Sequence, residues 1–196
     1  MVLRNSLNLL RVVKVDLELR PRSVSGMTAN DPVLVRRAER RDMPALGSLG
    51  AALVRDHHAF DSRRFLRPGP RLEEGYARFL GTQLAEEDVA VFVAERAGSI
   101  IGYVYAGVEP RSWQELRDVA GFIHDVVVTR DARRIGVGTR LIETAAAWLA
   151  TRGVPRVILW TAEENRAAQR LFERLGFRRT MVEMTREATP PAGSDA

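Results

Sequence analysis

Apolar and polar positions along the chain follow two periods, and the switches between them predict an order of elements. VLVRRA, residues 33–38, reads as a strand, and RDMPALGSLGAALVRDHH as a helix with Asp42 near its start and Pro44 in its first turn. RLEEGYARFLGTQLAEE is a second helix. AVFVAER and IIGYVYAGV are β-rich runs separated by Ala97, Gly98 and Ser99, which suits a hairpin. After the polar excursion PRSWQELRD, the nearly continuous apolar run GFIHDVVV predicts a central strand buried on both faces. From Thr139 to Arg152, Leu141, Ile142, Ala145, Trp148 and Leu149 recur at helical spacing, and Gly153 with Pro155 ends the helix. RVILW, residues 156–160, is a further strand. TAEENRAAQRLFERLGF holds a helix with Ala168, Leu171, Phe172 and Leu175 on one face and Gly176 as its cap, and RRTMVEM closes the chain as a last strand. The predicted order is β-α-α-β-β-β-α-β-α-β, without an internal repeat.

The chain has 196 residues, enough for one well-buried core and short for two. Residues 1–30 differ from the rest: LLRVVKVDLEL runs into the turn-rich PRSVSGMTANDP, and Met27 offers a second start, so this stretch is expected to be a poorly ordered extension. The domain is expected over residues 31–187, with residues 188–196 as a flexible tail. There is no cysteine, which excludes disulfides, thiolate metal sites and a cysteine nucleophile. The net charge is +5, but every basic residue except Lys14 is arginine and the arginines are scattered among acids. That pattern does not favour a nucleic-acid partner, and a binder of that kind would lose affinity steeply with salt. No run reaches the ~18–20 apolar residues that cross a bilayer, and the start lacks the layout of a secretory signal, so the cytoplasm is the expected compartment.

One stretch carries specific chemistry. Directly after the apolar VVV, the sequence RRIGVG (Arg133, Arg134, Ile135, Gly136, Val137, Gly138) opens a helix. A strand, a glycine turn and a helix start present unpaired main-chain N–H groups and the positive end of the helix dipole, a setting for phosphate. The nucleotide loop GxxxxGK is absent, and the dinucleotide fingerprint fails because Leu141 stands where its third glycine belongs. The Arg-x-x-Gly-x-Gly pattern resembles the acetyl-coenzyme A (acetyl-CoA) signature of the GNAT superfamily of N-acetyltransferases. The resemblance extends through VVVTRDA, Asn165 and the closing RLFERLGF, closely over residues 122–177 and by element order over 33–184.

That resemblance implies an α/β single-domain fold with a mixed central sheet flanked by helices, splayed between the fourth strand, ending at Val128, and the fifth, ending at Trp160. It implies a pyrophosphate cradle of N–H groups from Arg134 to Thr139, with Arg133 adding a charged contact or standing as a solvated loop arginine. Val126, Val127 and Val128 match the triplet whose main chain pairs with the pantetheine arm, and an N–H of Val127 or Val128 would stabilise the thioester oxyanion. Asn165 suits either a cofactor contact or the cap of the next helix. The implied reaction is acetyl transfer from acetyl-CoA to a primary amine of a small molecule or peptide by direct attack, with no metal. A homodimer is left open.

An alkylamine near pKa ~10.4 must lose a proton before it attacks, so a base is useful. Superfamily members acting on ribosomal-protein N-termini place a glutamate where this chain has Trp160 and a tyrosine acid where it has Phe172, and neither residue here can move a proton. Polyamine and arylalkylamine members carry an acid or histidine two residues before the triplet, which is His124. His124 is therefore a candidate base, or alternatively a histidine bonded within the sheet. Asp125 alternates to the other face of an ideal strand, as a structural residue or an orienting partner, unless a bulge re-aims it. His57 and His58 lie where family members shape the substrate cleft; as an adjacent pair they supply too few ligands for a metal. Trp113 suits a cleft lid, a dimer contact or a surface helix packed by its own ring. The rival from another class is an acyl-CoA-binding sensor without catalysis.

Overall fold

The computed structural model describes residues 31–188 together with the two-residue strand β1, Arg11–Val12. The expectations for the rest of residues 1–30 and for 189–196 fall outside the described residues. The other strands are β2 (Val33–Arg37), β3 (Val89–Arg96), β4 (Ser99–Glu109), β5 (Ala120–Val128) and β6 (Val157–Ile158). The helices are α1 (Met43–Phe60), α2 (Leu72–Gln83), α3 (Val137–Thr151) and α4 (Arg166–Arg174).

Strands β2 to β5 form an antiparallel meander in chain order. The β3–β4 hairpin turns on Ala97 and Gly98, both at positive φ (49° and 76°), the backbone of a two-residue turn whose twist matches the strands. The far edge of β5 is divided. Its first part pairs in parallel with β6, through Gly121 with Val157 and Phe122 with Ile158 only. Further along the same edge, β1 pairs in parallel opposite Asp125 and Val126. The sheet is therefore mixed, and β5 and β6 part after Phe122, where the splay was expected.

Both faces of the sheet are covered, which is why β3 to β5 read as near-continuous apolar runs. Ala90, Phe92 and Ala94 of β3 face the α3–α4 layer, where Val137, Leu141, Ile142, Ala145 and Leu149 are buried with Ala168 and Phe172. Val91 and Val93 face the α1–α2 layer and pack with Leu46, Leu49, Leu53 and Leu80.

Three expectations change. The helix after the glycine loop starts at Val137 rather than Thr139. The strand expected over 156–160 is reduced to two paired residues, because β6 must leave β5 to open the splay. The closing segment RRTMVEM forms no strand: with β6 so short it has no ladder to join, and Met181, Val182 and Met184 lie exposed. A period of two shows that a segment can pair, not that an edge awaits it. The segment is instead tethered by an Arg64–Glu183 ion pair and by Arg179 donating to Gln169 Oε1 at 2.8 Å.

Asp42 begins α1, but its carboxylate serves the sheet. It receives Arg36 Nη1 at 2.7 Å and Nη2 at 3.0 Å, and the Glu39 main-chain N–H at 2.8 Å. Arg36 Nε also donates to Glu95 at 2.8 Å, so one guanidinium ties β2, β3 and the head of α1. The Arg36 hydrogen bonds hold the buried Asp42 carboxyl below the usual carboxylate range, against the opposing cost of burial. A folded-state value below the unfolded one stabilises above the unfolded carboxylate pKa of about 3.9, and the contribution disappears as the pH falls through the folded value. Urea unfolding should accordingly show stability declining below about pH 4. Asp42→Asn should be less stable at neutral pH and show a shallower decline; an unchanged acid profile would remove Asp42 from that role.

Candidate active site

The glycine loop grows out of β5 through a turn of 3-10 helix, Arg130–Ala132, pinned by fully buried Ala132. Arg134 (φ 63°) and Gly136 (φ 86°) both adopt left-handed backbone, reversing the chain twice before α3 begins. Gly136 is the N-cap of α3 and offers no capping side chain, so the first-turn N–H groups of α3 face outward. A cleft of about 960 Å³ opens there, between the end of β5 and the loop on one side and α4 on the other.

Eight of the eleven expected cofactor residues line this cleft: Val126, Val128, Arg133, Arg134, Gly136, Val137, Gly138 and Thr139. Arg130 joins them from the loop, and Arg170 and Arg174 face them from α4, so cations border an apolar floor of Val126, Leu171 and Phe172. Three expected residues lie elsewhere. Val127 points its side chain into the α1–α2 core, because alternate residues of a strand face opposite sides. Ile135 is half exposed at the loop tip. Asn165 is buried and caps α4, its Oδ1 accepting from the Ala168 N–H at 3.2 Å. Arg133 turns back over the strand, with Nε 3.4 Å from the Val128 carbonyl oxygen.

The second half of the site lies on the opposite face of β5. Pairing with β4 runs from Tyr105 opposite Asp125 to Ala106 opposite Ile123, which leaves His124 as the extra residue of a bulge. The bulge changes the expected alternation: His124 and Asp125 both meet side chains of the α1–α2 face. His124 stacks on Tyr105 at 4.6 Å and lies 5.8 Å from Phe122, with Nε2 3.3 Å from Glu109 Oε1. Asp125 Oδ2 accepts from Tyr76 Oη at 2.5 Å and Tyr103 Oη at 3.0 Å. Burial and then the Asp125 charge push the Tyr103 hydroxyl well above the usual phenol range, and burial with Asp125, Glu109 and Glu86 does the same to Tyr105.

The early histidines and Trp113 stand apart from this chemistry. His57 is buried, with Nδ1 2.9 Å from the Leu53 carbonyl oxygen of its own helix and its ring 4.7 Å from Phe65. Among the described residues, no group of three or more His, Asp or Glu side chains is placed to hold a metal ion. Trp113 is 78% exposed in a loop closed by a Ser112–Arg117 bridge, so it packs no helix. Among the described residues no helix is long and apolar enough to cross a membrane.

The family model described as acetyltransferase (GNAT) matches residues 53–177, more than half of the chain. The chain belongs to this GNAT acetyltransferase family. It is 35% identical over 105 residues to a mycothiol acetyltransferase of Thermomonospora curvata, which covers 54% of this chain and 33% of that protein. It is 40% identical over 109 residues to a mycothiol acetyltransferase of Cellulomonas flavigena, covering 53% and 30%. It thus spans about a third of the length of those relatives. A probable N-acetyltransferase, camello, of Xenopus tropicalis is 30% identical over 132 residues, covering 67% of this chain and 55% of that one.

Two solved structures share the fold. A transcriptional regulator of Bacillus halodurans C-125 superposes with TM-score 0.64 at 22% identity, over 80% of this chain and 100% of that one. The aminoglycoside N-acetyltransferase AAC(6')-Iy, in complex with CoA, gives 0.64 at 16% identity, over 83% and 99%.

Within this GNAT domain, the residues of the cleft fit acetyl-CoA. The first turn of α3 would offer N–H groups to a pyrophosphate, and the flanking arginines would offer countercharge. Gly138 is informative because the protein itself leaves room there: a Cβ would meet only Leu171 at 3.4 Å and Val128 at 3.8 Å. A side chain at that position would grow toward the cleft rather than into the core.

Sequence reasoning missed Tyr76, Tyr103, Tyr105 and Glu109. The only signal was the period-two spacing of Tyr103 and Tyr105, and it means nothing until register sets those rings beside Asp125 and His124. Asp61, Glu73 and Glu95 are engaged away from the bulge. Asp61 accepts from the Arg63 N–H, Glu73 from Ser48 and Arg55, and Glu95 from Arg36.

Two measurements probe the cleft. Gly138→Val should weaken acetyl-CoA binding in calorimetry at least about tenfold with little change in Tm, whereas a matching loss of stability would make Gly138 a packing residue. Because β1 and a pantetheine arm would use the same edge of β5, removing residues 1–30 should tighten acetyl-CoA binding, and unchanged affinity would show that β1 does not compete.

Proposed function

We propose that the chain transfers an acetyl group from acetyl-CoA to a primary amine by direct attack. The observation that carries this reading is the double use of β5: its end opens onto a cationic cleft at the α3 N-terminus, and its bulge turns His124 and Asp125 to the other face. Main-chain N–H groups of residues 134–139 and the surrounding arginines would bind the pyrophosphate, and the edge at Val126–Val128 would align the pantetheine arm.

His124 would take the proton of the acceptor ammonium, leaving a nucleophilic amine. Glu109, 3.3 Å from Nε2, orients the ring. The amine nitrogen then bonds to the thioester carbonyl carbon, an N–H of Val127 or Val128 receives the developing negative charge, and the C–S bond breaks. The products are the amide and free CoA thiol. Phe172 lies in the α3–α4 core and supplies no acid, so the leaving thiolate takes the proton that the attacking nitrogen sheds as it becomes the amide. Glu109 beside His124 is a carboxylate that an acceptor arriving as an ammonium ion would meet.

The test is thiol release from acetyl-CoA across polyamines, arylalkylamines, aminoglycosides and short peptides, on a background free of protein thiols. Amine-dependent release should appear with at least one class. His124→Ala should slow it at least about a hundredfold while leaving acetyl-CoA affinity unchanged. An unchanged rate would remove His124 as the base. Silence across the panel, with acetyl-CoA bound, would favour a non-catalytic acyl-CoA sensor.

A further inference from the structure

Direct attack needs one base, yet the α1–α2 face carries a second polar assembly around Asp125. Its carboxylate is 2% exposed, and burying such a charge is costly unless its oxygens are satisfied. Two phenols from different elements donate to the same oxygen, Tyr103 from β4 and Tyr76 from α2. Tyr103 is fixed by its place in the sheet core, whereas Tyr76 must be brought from outside the sheet.

The seat for Tyr76 is built into α1. A Cβ on Gly50 would lie 1.9 Å from the Tyr76 ring, and a Cβ on Gly47 would lie 2.5 Å from the Glu73 carbonyl oxygen on α2. Any side chain at either position would drive the helices apart and lift Tyr76 from Asp125. Glycine lowers helix stability by about 1 kcal/mol relative to alanine, so two of them in the middle of α1 indicate a geometric demand. Tyr76 also packs edge-on against Phe79 at 5.8 Å, and Phe79 against Tyr105 at 5.8 Å. The three rings form a wall that runs from Asp125 to the half-exposed Phe79.

We infer that Tyr76 is a positioning residue: with Tyr103 it fixes the buried Asp125 carboxylate, and through it the β5 bulge that aims His124 at the acceptor. This rests on the proposed transfer and adds to it a division of labour. His124 and Glu109 manage the proton, while Asp125, held by the two tyrosines, keeps His124 in place. The close contact of α1 with α2 then controls proton transfer without touching the acetyl-CoA cleft, which lies on the other face of the sheet.

The test is a double-mutant cycle on the full chain, using the amine that gives the most thiol release. Tyr76→Phe keeps the ring and removes the hydroxyl. It should lower kcat/KM for the amine about tenfold or more, mainly through kcat, with acetyl-CoA affinity nearly unchanged and Tm lowered because a buried carboxylate loses one donor. Asp125→Asn should lose at least as much, and Tyr76→Phe should cost less than about twofold further in that background. Gly50→Ala should act in the same direction as Tyr76→Phe. The inference is overturned if Tyr76→Phe leaves kcat/KM within twofold, if its effect adds in full to that of Asp125→Asn, or if acetyl-CoA affinity falls in parallel. A wild-type chain that transfers to no amine overturns the proposed reaction and this inference together, and is told apart because the unmutated protein is already silent.

Discussion

Strand β5 has to satisfy two incompatible demands: it needs a hydrogen-bonded neighbour on each side to be buried, and the proposed function asks it for an open edge to meet an extended ligand. The fold resolves this along the strand's length. β4 pairs with nearly all of one edge, while on the other β6 pairs with Gly121 and Phe122 and then departs. Unpaired main-chain groups inside a protein are expensive, and in this structure β1 lies opposite Asp125 and Val126, on the edge that β6 leaves. The cleft, the glycine loop and the start of α3 all follow from that parting, because α3 can present its N-terminus only where the next strand has moved aside.

The bulge at His124 is the second consequence of building a site on one strand. In a regular strand His124 and Asp125 would face opposite layers, one toward α3 and the other toward α1 and α2. One extra residue puts both on the α1–α2 face while Ile123 and Val126 still fill the α3 core. The same strand therefore offers main chain at its edge and two polar side chains on one face. The tyrosines that meet those side chains come from the neighbouring strand and from α2, which ties this polar cluster to helix packing.

The charged groups are placed by the same parting. Arginines gather where the loop and α4 border the cleft, whereas beside the bulge Glu109 and Asp125 are accompanied by Arg117, whose guanidinium lies 4.6 Å from the Phe122 ring. Scattered in the sequence, these charges gave no hint of that placement. A net charge of +5 describes neither region.

The sequence by itself determined the element order from β2 to α4, the glycine loop and the family, because these depend on local periodicity and on contiguous residues. VVV followed by RRIGVG carries its own meaning: the turn's backbone demands and the helix start are encoded within a few positions. The strand expected at RRTMVEM failed for the opposite reason, since its pattern says it can pair but pairing needs an edge that β6 does not supply. The polar cluster at the bulge was decided only by tertiary structure. Tyr76, Tyr103 and Asp125 are up to 49 residues apart, and it is the bulge, the β4–β5 register and the glycine-mediated approach of α2 to α1 that bring the two hydroxyls and the carboxylate within hydrogen-bonding distance.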